Sequence, residues 1–237
     1  MNWTPFVAYC VGLITTDGCL SGDRRHIEFS SKDRELVEYV RSCFGPQNKV
    51  CRKSRGGPIR RYYRVQLGNV HLYQWLCSLG LTPRKSLTLG ALKIPDAVFA
   101  DFLRGHLDGD GTFTVYNDSV FPNSIRLYVR FCSASRPHLD WLQVTISRLW
   151  SLKGYQVKAQ RSFRLVYAKA ASIELLKYLY TSSDSLCLGR KRRIVERFLT
   201  PHAEVAELAD ATVSEAVGRK VMRVQLPPSA FYLDDSF

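Results

Sequence analysis

The sequence is short of acid. Against 34 lysines and arginines it sets 21 aspartates and glutamates, for a formal net charge of +13. An acidic polymer is therefore the expected partner, and an acidic surface protein is excluded. Cysteine pairs at metal-binding spacing are missing as well. Cys10, Cys19, Cys43, Cys51, Cys77, Cys132 and Cys187 form an odd set without a CxxC, which argues against a disulfide framework or a structural zinc site and for a reducing compartment. No apolar run is long enough to span a bilayer. The apolar N-terminus lacks the basic flank of a signal peptide. These absences point to an intracellular protein working on nucleic acid, away from membranes.

The charge is uneven. Beyond residue 200 stand three basic and six acidic residues, so residues 1–200 carry 31 against 15, a net +16. The tail breaks with the body in a second way. Read at the codon level, residues 203–230 match a translated tRNA gene: Ala203-Glu204-Val205 and Pro228-Ser229-Ala230 permit complementary arm sequences. The expectation is a reading frame that runs into such a gene, giving a poorly ordered segment over 201–237.

Within the body, the chain repeats itself. "VGLITTDG" (11–18) and "FLRGHLDGDG" (102–111) are apolar, small-residue stretches that each run into Asp-Gly. After each comes the same succession: two alternating strand-like runs, an amphipathic helical pattern, two more strand-like runs, and a short apolar helix. A basic pair follows, Arg84-Lys85 in one half and Arg190-Lys191 in the other. The pattern predicts an α+β fold of two pseudo-symmetric αββαββα repeats, 1–93 and 94–200, built on antiparallel sheets. Glycine inside a helix costs about 1 kcal/mol against alanine, so Gly12 and Gly105 need a reason, and close packing of the two Asp-Gly helices supplies one. Asp17 and Asp110 would then emerge together, each followed by a glycine suited to end a helix. Adjacent carboxylates repel unless a cation sits between them, and Mg²⁺ or Mn²⁺ takes oxygen ligands of this kind.

Period-two alternation assigns the outer faces of the strands. It places outward His26 and Glu28; Tyr62, Arg64 and Gln66; Thr112, Thr114 and Tyr116; Arg126, Tyr128 and Arg130; and Gln156, Lys158 and Gln160. Arg164 joins them from the last strand, and the connecting loops add Arg24, Arg25, Arg52, Lys53, Arg55, Arg60, Arg61 and Arg161. Such side chains clamp phosphates and read base edges in a major groove. Glu28 is the one acid among them, whereas an ordinary solvated face mixes signs.

At this point the residues resemble a family. "CVGLITTDG" (10–18) and "LRGHLDGDG" (103–111) are similar to the paired motifs of the LAGLIDADG homing endonucleases, and the likeness extends over roughly residues 5–200. The resemblance implies a monomer whose two sheets straddle a long double-stranded DNA site and cut both strands across the minor groove. It implies that Asp17 and Asp110, with the carbonyls of Thr16 and Gly109, hold the divalent metal. It implies that Lys85 and Lys191 are the central basic residues beside the scissile phosphates. The first motif departs from the family at Thr15, where an acid is usual, and at Cys10 and Val11. His106 reads as packed rather than catalytic. The alternative is a non-cleaving protein on the same scaffold, an intron maturase or a transcription regulator. Either way the expected location is on DNA, in a bacterial cell or an organelle.

Overall fold

A computed structural model describes residues 1–54, 62–117, 125–181 and 185–199. The predicted tail and the basic loop carrying Arg55, Arg60 and Arg61 lie outside the described residues. The first half runs α1 (Pro5–Asp17), β1 (Gly18–Leu20), β2 (His26–Ser31), α2 (Arg34–Phe44), β3 (Cys51–Lys53), β4 (Tyr62–Gly68) and α3 (Val70–Ser78). A 3₁₀ turn over Asp96–Val98 leads into the second: α4 (Phe99–Asp110), β5 (Thr112–Asn117), β6 (Ile125–Ser133), α5 (Arg136–Trp150), β7 (Tyr155–Lys158), β8 (Phe163–Ala168) and α6 (Ala170–Leu179). A further helix, α7 (Gly189–Leu199), carries the second basic pair. Each half builds one antiparallel four-stranded sheet, ordered β1-β2-β4-β3 and β5-β6-β8-β7. Residues 1–199 form one compact unit.

Local chemistry sets the element ends. Thr4 caps α1 by accepting from the Val7 amide at 3.2 Å, with Pro5 supplying a preset first turn. Asn69 caps α3 the same way at 2.9 Å. On one face of each sheet the alternating apolar residues are buried, Ile27, Phe29, Val65 and Leu67 in the first and Leu127, Val129, Phe131 and Leu165 in the second. Against them pack Leu36, Val37 and Val40 of α2 and Leu139, Leu142 and Ile146 of α5. Helix α1 is not amphipathic; residues Ala8 to Thr15 are all buried, which fits a helix at the centre of the core.

Glycines let α1 and α4 touch backbone to backbone. A Cβ on Gly12 would stand 2.1 Å from the Phe102 carbonyl oxygen, and one on Gly105 would stand 2.0 Å from that of Tyr9. Gly12 and Gly105 hold the same place in their motifs, as do Tyr9 and Phe102, so the contact repeats itself about a pseudo-twofold axis. Gly18 and Gly111 end the two helices, as expected. Both are extended (φ −80°), not left-handed, so each helix passes straight into a strand. Glycine is required there by space: a Cβ would meet the Ile14 or the Leu107 carbonyl oxygen at 2.5 Å.

Two histidines are buried beside this contact. His138 Nδ1 lies 2.9 Å from the Gly90 carbonyl oxygen and must donate to it. Its Nε2, 3.1 Å from His106 Nε2, is then the acceptor and His106 the donor. The rings stack at 5.2 Å. Burial, reinforced by the neighbouring ring, pushes His106 well below the usual histidine range, and burial brings His138 to about 4. His106 is a packing residue, as its sequence context indicated.

Gly12→Ala or Gly105→Ala will force the helices apart and cost about 3 kcal/mol in denaturant unfolding, a loss that the gain in helix propensity of about 1 kcal/mol does not offset. The unfolded chain protonates its histidines below about pH 6.5, whereas the folded chain resists. Stability will therefore fall as pH drops from 6.5 towards 4, by up to about 3 kcal/mol from His138. The H106L/H138L variant will show a flatter profile over that window.

Candidate active site and nucleic-acid interface

The helix contact delivers its two final residues to the same end. Asp17 closes α1 and is half-buried; Asp110 closes α4 and is exposed. Thr16 Oγ1 bonds back to the Leu13 carbonyl at 2.9 Å and faces the bare Cα of Gly109, where a Cβ would stand 2.0 Å away. The same Cβ would stand 3.2 Å from Asp17 Oδ2. The Asp17 carboxylate thus lies against the last turn of α4, one residue from Asp110. Residue 109 must lack a side chain for this space to exist. The donors offered are carboxylates and main-chain carbonyls, hard oxygens that suit Mg²⁺ or Mn²⁺. Among the described residues no three histidine, cysteine or acidic side chains cluster. An ion between Asp17 and Asp110 would complete its shell with carbonyls and water.

Lys85 and Lys191 lie at the motif-helix ends with their ammonium groups turned onto the backbone. Both are buried, 7% and 4% exposed, and their ammonium groups plug the ends of the motif helices. Lys85 Nζ donates to the Gly18 carbonyl at 2.5 Å and approaches that of Thr16 at 3.4 Å. Lys191 Nζ donates to Leu107, Asp108 and Gly111 carbonyls at 2.5, 3.2 and 2.6 Å. An ammonium has three N–H groups, and Lys191 spends all three on the backbone. Burial lowers both lysines, Lys191 to about 8, against the opposing pull of Asp17 and Asp110 on Lys85 and of Asp108 and Asp110 on Lys191. Helix C-termini are negative ends, so the cations stabilise the turns that carry the two aspartates. Of the adjacent arginines, Arg190 leans onto Asp33 at 3.3–3.4 Å, and Arg84 is exposed in a left-handed turn (φ 57°).

The first acid of the second motif is structural. Asp108 is buried, and burial raises its carboxyl above the ordinary range despite Lys191 nearby. Its Oδ2 accepts from the Tyr9 hydroxyl at 2.8 Å and the Leu188 amide at 2.7 Å, tying α1, α4 and the approach to α7 together. Thr15 takes this place in the first motif and bonds to the Val11 carbonyl at 2.8 Å. Sequence reasoning missed this link, and also buried Arg104, which binds the Leu186 and Leu179 carbonyls at 2.6 and 2.5 Å. An arginine between the apolar Leu103 and Gly105 of the motif helix was the available signal.

Strand register settles which side chains leave the core. Glu28 pairs with Gln66 and Ser30 with Arg64, all opposite the buried face. Tyr62 and Lys53 pair on that same open side. Glu28 is ion-paired to both Lys53 and Arg64, the latter at 3.2 Å. Burial raises its carboxyl, but these cations outweigh the effect and hold it below the usual range. In the second sheet Thr112, Thr114 and Tyr116 pair with Arg130, Tyr128 and Arg126. Tyr116 stacks on Tyr128 at 5.8 Å, and Arg130 lies over Tyr128 at 5.3 Å while donating to Thr114. Arg164 is exposed beside them, opposite Cys132. In the β1–β2 turn, Asp23 accepts from the Arg25 and His26 amides and bonds His26 Nδ1 at 2.5 Å. The His26 bond draws the Asp23 carboxyl down to about 2. Arg24, Arg25, Gln160 and Arg161 are exposed in turns.

Two placements differ from the alternation. In β7, Gln156 pairs with Leu165 and Lys158 with Phe163, on the helix-facing side. Gln156 bonds Asp140 and Gln143 of α5 at 2.7 and 2.9 Å. Tyr155 and Val157 are the open-face residues, 50% and 44% exposed. The alternation fixed the period of this edge strand but not its phase, because α5 supplies polar partners where an apolar layer was expected. Arg52, expected in a loop, stands in β3 and pairs with Tyr63, over whose ring it lies at 5.5 Å, rather than with the open-face residues.

No family model and no curated protein sequence matches the chain. Solved structures do. The meganuclease I-SmaMI, bound to an uncleaved DNA target in the presence of calcium ions, superposes with a TM-score of 0.54 at 12% identity, covering 90% of this chain and 93% of that one. The LAGLIDADG meganuclease I-AabMI, bound to uncleaved DNA, gives 0.52 at 15%, covering 89% and 92%. The N-terminal LAGLIDADG domain of DUF199/WhiA gives 0.53 at 14%, covering 81% and 87%. The fold of this chain is that of the LAGLIDADG homing endonucleases and of the WhiA domain.

Proposed function

We propose that the protein is a sequence-specific, divalent-metal-dependent endonuclease of double-stranded DNA, acting as a monomer of two repeats, residues 1–93 and 94–200. The observation that carries this reading is Asp17 Oδ2 lying against the last turn of α4, beside Gly109 and next to Asp110. Its support lies in the cationic open faces of both sheets and in the DNA-bound meganucleases of the same fold.

Asp17 and Asp110, with the Thr16 and Gly109 carbonyls, would hold Mg²⁺ or Mn²⁺. Such an ion activates water and stabilises the leaving oxygen of a phosphodiester. The chain's own part is positional. Lys85 and Lys191 hold the helix-end carbonyls and thereby aim the carboxylates; with all three donors of Lys191 engaged, its influence on the scissile phosphates is electrostatic. Arg64, Arg126, Arg130 and Arg164 engage the duplex from the open faces, with Thr114 and Glu28 holding two of them in place. The alternative, a binding protein that does not cut DNA or that binds RNA, uses the same faces.

A supercoiled plasmid library with randomised targets separates the two. With Mg²⁺ the protein will linearise selected plasmids; with EDTA it will only retard them. D17N and D110N will each lower double-strand cutting at least about a hundredfold while retaining DNA binding. K191M, which strands three carbonyls and Asp108, will lose about 3 kcal/mol of stability together with activity. Cutting by both aspartate variants would remove the assigned centre, and retardation without cutting at any metal concentration would favour the binding protein.

A further inference from the structure

The two sheets can be aligned by their own hydrogen-bond register. Cys19 and Thr112 each stand two residues after the motif aspartate, and they pair with Glu28 and Arg130. Following the ladders outward, Gln66 corresponds to Val166 and Arg64 to Arg164. On the edge strands, Cys51 corresponds to Val157. Two residues further on, Lys53 corresponds to Ala159, and two residues before, Lys49 corresponds to Tyr155.

One arginine is therefore common to both open faces, and its surroundings differ in kind. Around Arg64 stand Cys51, Gln66, Lys53 and Glu28. Around Arg164 stand Cys132, Arg130, the buried Val166, Val157, Tyr155 and Ala159, so that Val166 and Ala159 replace the hydrogen-bonding Gln66 and Lys53. Val157 and Tyr155 leave about half their surface in water on a face whose other exposed groups include Arg164 and Tyr116. The only apolar group that a base pair shows in the major groove is the thymine C5-methyl, whereas guanine and adenine edges there offer hydrogen bonds.

We propose that Val157 and Tyr155 are specificity-determining residues that pack on thymine C5-methyls beneath the second sheet, whereas Lys53, Arg64 and Gln66 of the first sheet hydrogen-bond purine edges. This rests on the reading of the open faces as a DNA interface.

The test is selection of the full chain on a randomised duplex library without divalent metal, followed by sequencing of the bound fraction. The expected site has one half rich in thymine and one containing guanine. Val157→Asn, a change at an exposed edge position, will relax preference at thymine positions in the first half only. Replacing those thymines by deoxyuridine will weaken binding of the unaltered protein about fourfold per contacted methyl, whereas V157N will lose nothing at the thymine that Val157 contacts. Deoxyuridine duplexes bound as tightly as thymine duplexes, or an unchanged preference in V157N, would overturn the proposal while leaving DNA recognition intact. Enrichment of no sequence at all would overturn the DNA reading beneath it.

Discussion

Everything in this molecule depends on how closely α1 and α4 approach. Two helices normally pack with their axes 8–10 Å apart, separated by side chains. Here carbonyl oxygens of Tyr9 and Phe102 lie where the Cβ atoms of residues 105 and 12 would be, so backbone meets backbone. This contact fixes the pseudo-twofold relation of the halves, because each glycine answers a carbonyl at the partner's equivalent place. It also sets Asp17 against the last turn of α4. A wider separation would leave the two carboxylates too far apart to share a cation, as the proposed function requires.

Burial of charge around this contact follows from the same geometry. Helices that end against each other leave carbonyls facing one region, and unpaired buried carbonyls are costly. Lys85 and Lys191 satisfy them from segments that follow each repeat's last apolar helix. Asp108 and Arg104 tie the second motif helix to the backbone of Leu179, Leu186 and Leu188. A buried cation with several carbonyl partners is an expensive device. It is tolerable because one ammonium group replaces several separate caps and fixes the direction in which the last turn points.

The sequence carried the periodic part of this structure plainly. The element order, both sheets, the outward arginines of β4 and β6, and the glycines of the helix contact all follow from spacing and from the cost of glycine in a helix. What it did not carry was information held by partners distant in the chain. The phase of β7 depends on Asp140 and Gln143 of α5, because Gln156 can be buried only where amide partners exist. The lysines were visible as a repeated basic pair, but a basic pair is usually solvated. Only the fold shows that the ends of α1 and α4 present carbonyls at those two ammonium groups. Extended rather than left-handed Gly18 and Gly111 were hidden for a similar reason: what excludes a side chain is the preceding turn's own carbonyl, not a turn type.

The duplicated chain has therefore been held to two different standards of likeness. At the axis, a residue in one half packs on its counterpart in the other, so any change must suit both backbones at once. Gly12 matches Gly105, Gly18 matches Gly111, and Lys85 matches Lys191 in binding the carbonyl of that second glycine. On the open sheet faces no such constraint operates, because a side chain there touches only its own strand neighbours and whatever docks on it. There Glu28 faces Arg130, Gln66 faces Val166 and Lys53 faces Ala159 across the alignment of the two sheets. Symmetry at the centre with divergence on the faces is what a molecule needs if it is to perform one chemistry twice on two unlike sequences. The limit on divergence is mechanical: Arg64 and Arg164, in register with Ser30 and Cys132, are the outward position where both halves keep the same group, one that can hold a phosphate or a guanine alike.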